Sequence, residues 1–391
     1  MAAQTLTPQE ERVLEQCQRK DEEKARLISG WIETSFTANF DSPKDNQNFG
    51  RLLDDRSNEV VVNQAVVNFE RSLKKGPEFD WGFKLQLLFG TDARYLHSLG
   101  LRFHQVENGQ YQGDIPEVYL SLHLPVLTYC GLDIKVGKFV TLAGYETVDP
   151  RENPFYSHTY IFNFGVPTNH TGVLFTLRVS KALDLMAGVT RGVNTSIDDN
   201  NDALAFHGGF NLALHDEDVV LGAATHIGPE SIDDDKDLRY INDVWLTWDI
   251  NKSLRSITEI NYVRDNLADA DAYGAAQYLT YSFSERVSAS IRAEVWRDDR
   301  GFYVAQYANA VDSLRSFAGQ STLDPRSIAG GRTTYAALTI GMNFKLSVLK
   351  PLDLTVRPEL RVDRSLNDTK AFNDSTDDRM FTAAVDAIMT F

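Results

Sequence analysis

From Trp31 onward, apolar side chains recur at every second position in run after run. In 352–362, Leu352, Leu354, Val356, Pro358, Leu360 and Val362 point one way, while Asp353, Thr355, Arg357, Glu359 and Arg361 point the other. Residues 287–296 set Val287, Ala289, Ile291, Ala293 and Val295 against Ser288, Ser290, Arg292 and Glu294. Residues 79–89 set Phe79, Trp81, Phe83, Leu85, Leu87 and Phe89 against Asp80, Gly82, Lys84 and Gln86. A period of two marks strands with unlike faces. About sixteen such segments begin near 31, 60, 79, 116, 132, 172, 182, 204, 218, 239, 254, 274, 286, 333, 352 and 379. Most are close to the ~9–11 residues that cross a bilayer at a tilt. Short connectors (KKGPE, VLTYCG, SKA, HDED, NKS, SER, VLKP) alternate with long ones at 41–59, 90–115, 144–170, 192–203, 228–238, 265–273, 298–332 and 364–378. That alternation predicts an up-and-down antiparallel meander.

An open sheet this long would leave two edges and need a second layer over its apolar face. The chain offers no second layer, and a polar-out sandwich fits the one-sided connector lengths badly. A closed barrel with its apolar face in lipid needs no cover. The Arg357–Glu359–Arg361 and Arg292–Glu294 rows are too charged for a packed interior and suit a water-filled lumen. The expected fold is therefore all-β: a transmembrane up-and-down antiparallel barrel of about sixteen strands over 30–391. Residues 1–29 form a periplasmic extension with a helix over 7–28, where Thr7 caps, Pro8 opens and Glu10 completes a capping box. Both termini then lie at the short-turn, periplasmic end.

Composition narrows the function. Net charge is −16, with a pI near 4.9; that field repels nucleic acid, and no basic stripe offsets it. No apolar run reaches the ~20 residues of a membrane helix, a limit that does not apply to barrels. The first residues show no secretory signal, so export would require one outside this numbering. None of the eight histidines lies in a Gly-x-Ser-x-Gly or His-Glu-x-x-His setting, which counts against a barrel hydrolase. The two cysteines, Cys17 and Cys130, make neither a zinc framework nor a disulfide scaffold. In an oxidising periplasm they could bond and tie the helix across the pore entrance, or remain free thiols.

The connection at 144–172 is far from purely hydrophilic, with Tyr145, Phe155, Tyr156, Tyr160, Ile161, Phe162 and Phe164. Waved into water these would be costly; the expectation is a loop, 144–171, folded into the barrel. Glu146, Asp149, Arg151, Glu152 and His158 would then narrow the lumen and impose a transverse field. The lumen wall would carry Lys84, Lys135, Arg292, Glu294, Arg357, Glu359 and Arg361. The other reading is an aromatic loop covering a surface patch or subunit seam. Acidic runs at 196–202, 231–237 and 374–379 would form a charged rim. Asp198, Asp199, Asp233, Asp234 and Asp235 give a weak signal for Ca2+ or Mg2+ bridging to lipopolysaccharide, without EF-hand spacing.

Within this stretch the run 135–173 resembles the OmpL-like β-barrel porin family of bacterial outer membranes. The resemblance rests on Gly137-Lys138-Phe139, Gly144-Tyr145-Glu146, Asn153, Tyr156-Ser157, and Pro167 before Gly172. It implies an exported diffusion channel for small polar solutes or ions, without cofactor or covalent chemistry. A homotrimer is implied as well, since general porins commonly form one. A structural or adhesion barrel with a plugged lumen is the alternative. The stripe Phe381, Ala383, Val385, Ala387, Met389 and Phe391 should face lipid, pair with the strand near Trp31, and close the barrel. Phe391 resembles the signal read by outer-membrane assembly machinery.

Overall fold

The structure, a computed structural model, describes residues 27–44, 46–74, 76–96, 98–101, 110–128, 130–304, 331–349 and 352–391. Every strand segment belongs to one antiparallel sheet. Gln112–Asp114 and Val118–Leu124 both pair with Asp80–Gly90. They are one strand, interrupted around Pro116, which has no amide hydrogen to donate. The sheet is thus a closed barrel of 16 strands. They are β1 Ile28–Asn39, β2 Val60–Arg71, β3 Asp80–Gly90, the broken β4, β5 Leu132–Val140, β6 Asn169–Arg178, β7 Leu183–Thr190 and β8 Ala205–Leu214. There follow β9 Val219–Pro229, β10 Leu238–Asn251, β11 Leu254–Asp265, β12 Ala270–Ser284, β13 Val287–Asp298, β14 Thr333–Leu349, β15 Leu352–Ser365 and β16 Arg379–Thr390.

β16 pairs with β1 in a register running from Trp31↔Thr390 to Asn39↔Thr382. Phe391 donates its amide to Gly30 at 3.0 Å and accepts from Gly30 at 3.2 Å. The approach is tight: a Cβ on Gly30 would lie 2.2 Å from the Val66 carbonyl oxygen and 2.5 Å from the Phe391 ring. No sheet edge remains.

The alternation reads out as expected. Phe381 and Val385 are exposed while Met380, Thr382, Ala384, Asp386 and Ile388 are buried. Aromatic residues stand on the outer face near both ends: Trp81, Trp248, Tyr281 and Phe283 at the short turns, Phe40, Phe89, Tyr273 and Phe381 at the long loops. Between these girdles the face is aliphatic, as in a barrel that contacts lipid. Ile291, Ile340 and Leu360 sit side by side there and are exposed. Arginine at Ile340 should cost about 2–4 kcal/mol if the residue lies at the bilayer midplane. The measurement is the unfolding midpoint of the bilayer-inserted barrel against wild type; an unchanged midpoint would contradict a lipid-facing Ile340.

Several strands start earlier than the alternation predicts, among them β1 at Ile28, β6 at Asn169 and β12. β12 begins at Ala270, so its connection to β11 shrinks to 266–269. Ala270 and Ala272 are fully buried, and Tyr303 Oη donates to the Ala270 carbonyl at 3.2 Å. Small residues under an aromatic ring are invisible to a pattern that looks for large apolar side chains. Residues 7–26 of the expected helix, Cys17, and most of the 298–332 connection lie outside the described residues; Ile28, expected at the helix end, instead opens β1. No described helix is long and apolar enough to cross a membrane; strands make the crossing.

Candidate functional site: the inward loop and its charged wall

The connection from β5 to β6, residues 141–168, turns into the barrel and packs on the inner faces of β10 to β16 and β1. Its apolar residues build the interior: Phe155, Tyr160, Ile161 and Phe164 cluster with Tyr278 of β12, Trp296 of β13 and Tyr335 of β14. Tyr160 stacks on Tyr335 at 5.0 Å. Locally the loop is held by Asp149, whose carboxylate caps a 3-10 turn at Pro150–Glu152, and by Asn153, which donates to the Thr147 carbonyl at 2.6 Å.

A loop inside a barrel has backbone groups with no sheet to pair with, and leaving them bare is costly. The charged wall answers that demand. Glutamates take amides: Glu294 accepts from Tyr160 N at 2.7 Å, Glu359 from Tyr156 N at 3.0 Å and Ser157 N at 3.2 Å, and Glu259 from Tyr145 N at 2.9 Å. Arginines take carbonyls. Arg292 reaches Ser157 O at 2.6 Å, Arg361 reaches His158 O at 2.5 Å, and Arg357 reaches Pro150 O and Asn153 O, each at 2.7 Å. The arginines are balanced in turn: Arg357 by Asp386 and Glu33, Arg361 by Asp363 and Glu294, and Arg292 by Glu146.

The sequence places these charges in open water; the structure buries them. Arg292, Glu294, Arg357, Glu359 and Arg361 are all buried. Their charge does not prevent packing: each has a backbone partner, and Arg292, Glu294, Arg357 and Arg361 are also ion-paired, the condition under which buried charge is tolerated. Glu146 and His158 are likewise anchors. Glu146 accepts from Arg292 Nη1 at 2.7 Å, Tyr278 Oη at 3.0 Å and Thr159 N at 2.9 Å. Burial alone would push its carboxyl up; Arg292, His158 and Thr159 outweigh that and hold it at about 2. His158 stacks on Phe162 at 4.0 Å and meets Glu146 Oε2 at 3.1 Å.

The remaining expected residues stay in contact with water. Arg151 and Glu152 are exposed and Asp149, Lys84 and Lys135 half-buried. Arg151 forks onto Asp149, with Nε to Oδ1 at 2.8 Å, and lies 4.1 Å over the Trp31 ring. Glu152 is raised by enclosure within the barrel and by Asp149, against the pull of Arg151 and Lys84. Lys84 of β3 is therefore within electrostatic reach of the loop, and it is ion-paired with Glu117. Lys135 of β5 sits 4.4 Å over the Tyr119 ring. Water thus meets a mixed-charge strip between the loop tip and the β3–β5 wall.

Glu33, Asp243, Glu259, Asp363 and Asp386 complete the wall and were not singled out from sequence. Their signal was present: each stands at an inward position of its strand. Of the acidic-rim residues, Asp199 pairs with Arg191 at 3.2 Å. Asp234 accepts from Lys236 N at 2.7 Å, Asp235 accepts from Asp202 N at 2.9 Å, and Asp233 donates its amide to Asn200 O at 3.0 Å. Asp198 lies against Gly100. Among the described residues these carboxylates do not form a group of ligands. Cys130 is buried and disulfide-bonded.

A closed 16-strand barrel with a long loop folded against a charged inner wall defines a porin-like β-barrel protein. The chain belongs to the family described as "Putative beta-barrel porin-2, OmpL-like", whose family model matches residues 27–391. No curated protein matches it. Solved structures share the fold at low identity. OmpF of Salmonella typhi matches at 12% identity and TM-score 0.58, over 93% of this chain and 97% of that one. The anion-selective porin of Comamonas acidovorans matches at 7% identity and TM-score 0.57, over 94% and 100%. The outer-membrane channel DcaP of Acinetobacter baumannii matches at 12% identity and TM-score 0.55, over 96% and 99%. Family and fold are those of a porin-like β-barrel of the kind found in the bacterial outer membrane.

Proposed function

We propose that this chain forms a water-filled channel through which small hydrophilic solutes and ions diffuse down their gradients, with the 144–171 loop as its constriction. The observation that carries the reading is the division of labour along the loop. Its aromatic and backbone groups are anchored on one wall, while Asp149, Arg151 and Glu152 remain in water on the side of Lys84 and Lys135. A loop serving only to plug the lumen would have no use for a charged strip left wet. Opposed charges there would sort permeants by charge and size. The homotrimer and the Ca2+- or Mg2+-bridged rim belong to the same proposal.

Planar-bilayer recording tests it. Wild type should give stable open steps. Lys84→Glu, which removes one positive charge from the strip and adds one negative, should move the reversal potential under a salt gradient toward cation selectivity. Ile340→Ala on the lipid face should not move it. Absence of conductance in folded, inserted protein would sink the channel reading. An unmoved reversal potential in Lys84→Glu would sink the assigned strip.

A further inference from the structure

Three histidines meet at the root of the inward loop. His170 on β6, His207 on β8 and His226 on β9 are fully buried. His207 and His226 lie directly opposite each other across the β8–β9 pair. Ring centroids are 4.2 Å apart for His170–His207, 4.8 Å for His170–His226 and 5.8 Å for His207–His226. One ligand nitrogen from each lies within 4.8 Å of the others. Among the described residues no second group of three His, Cys, Asp or Glu side chains converges in this way.

The hydrogen bonds orient the rings. His170 Nδ1 donates to Gly192 O at 3.0 Å, leaving its Nε2 lone pair near Thr141 Oγ1 at 3.3 Å. His226 Nε2 donates to Glu230 Oε1 at 2.6 Å, so its Nδ1 carries a lone pair, and that atom has no partner. Glu230 is itself fixed, accepting from Val193 N at 2.8 Å. His207 Nε2 accepts from Leu142 N at 3.1 Å, which puts the proton of the neutral ring on Nδ1, and the ring also bonds the Thr225 backbone. An imidazole lone pair without a partner, at His226 Nδ1, in a buried cluster of three histidines calls for an explanation. Packing supplies none, because apolar side chains of similar size would fill the space without the desolvation cost.

We propose that His170, His207 and His226 bind one divalent late-transition-metal ion, with Zn2+ the default occupant. Imidazole suits Zn2+, Ni2+ and Cu2+, and three histidines with an open fourth position are an established zinc donor set. His170 offers Nε2 and His226 offers Nδ1; His207 offers Nε2 once the Leu142 amide gives way. Bonds of about 2.0–2.1 Å would bring the nitrogens to roughly 3.4 Å apart, a small closure of the present cluster. Glu230 stands behind His226 as the carboxylate that orients a ligating ring. The ion would tie β6, β8 and β9 to one another, taking the His170 and His207 nitrogens that otherwise hold Thr141 and Leu142 at the start of the inward loop.

The full-length barrel, folded in detergent, stripped with chelator and dialysed against ZnCl2, should retain about one zinc per chain by elemental analysis. His207→Ala/His226→Ala should lose it. His215→Ala, at an exposed turn, should keep it. Glu230→Gln should bind about 10–100-fold more weakly. Circular dichroism and heat-modifiable gel mobility establish that each variant is folded. Co2+ added to stripped wild type should give the visible ligand-field bands of nitrogen coordination at low coordination number, a readout that needs no variant. Zinc retention no greater in wild type than in the double variant, equal loss in His215→Ala, or wild-type Co2+ spectra identical to free aqueous Co2+ would each overturn the site.

Discussion

Arg292→Met is expected to loosen the inward loop and raise single-channel conductance. Arg292 is fully buried and grips the loop at several points: Glu146, Ser157 O, Ser157 Oγ at 3.0 Å, and the Phe155 ring, 5.0 Å beneath its guanidinium. Methionine fills much of the volume but leaves the Glu146 carboxylate buried without its counter-ion. Breaking a buried pair from one side costs about 3–5 kcal/mol, and each 1.4 kcal/mol is tenfold in a population. The docked-to-released ratio should therefore fall by roughly two to three orders of magnitude. The wall itself should survive, because β13 keeps its ladder to β12 and β14. Recordings should show larger, noisier openings than wild type. Arg292→Met combined with Glu146→Gln removes both charges, keeps an acceptor for Tyr278 Oη and Thr159 N, and should restore part of the wild-type trace, since the uncompensated buried charge is gone. Wild-type conductance and noise in Arg292→Met would refute the anchor.

The barrel was legible in the sequence because lipid imposes one rule on every strand. Phe381, Val385 and Leu360 had to alternate with Thr382, Asp386 and Arg361, and a period of two cannot slip without turning the apolar set into the lumen. Closure followed from the same rule. The inward loop was legible for a different reason: Tyr156, Tyr160 and Phe164 are too apolar for a surface connection. What could not be read was which wall the loop would choose. Arg292, Arg357 and Arg361 were recognised as inward, but water and loop backbone are both acceptable partners for a guanidinium. The choice depends on barrel curvature and loop path, neither of which is local. The histidine cluster was hidden for a related reason. His170, His207 and His226 stand on three strands, and only the β8–β9 register and the tilt of β6 bring them together. Each sits at an inward position near the long-loop end, a signal that appears once the register is known.

Asp92→Asn is expected to stabilise the folded protein above neutral pH and flatten its pH dependence. Asp92 follows β3 at the long-loop end and is fully buried. Burial is the main cause that raises its carboxyl from an ordinary 3.8 to about 7. Donors at Gln64 Nε2, 2.9 Å away, and Asn63 Nδ2, 3.4 Å away, only partly offset it. Arg94 is nearby but forks onto Asp55 at 2.7 and 3.0 Å, and Asp55 adds repulsion. Glu33 is a further carboxylate within electrostatic reach. The folded protein thus holds this proton more tightly than the unfolded chain. Its contribution is most favourable below pH 3.8 and is lost as pH rises through about 7. A shift of about 3 units, at 1.36 kcal/mol each, amounts to about 4 kcal/mol as an order of magnitude. Asparagine keeps an acceptor and cannot ionise. The difference between the two proteins should be small near pH 4 and approach that figure by pH 8, read from unfolding midpoints across the range. Parallel pH profiles would show that Asp92 is already ionised at low pH. The effect should reach the channel as well, because the Gln64 amide that donates to Asp92 also donates to Val148 O of the inward loop at 3.0 Å. The two N–H groups of that amide serve both acceptors, so ionised Asp92 draws the Gln64 side chain toward itself and neutral Asp92 draws it less. Wild-type conductance should therefore vary with pH around neutrality, and Asp92→Asn should remove that variation.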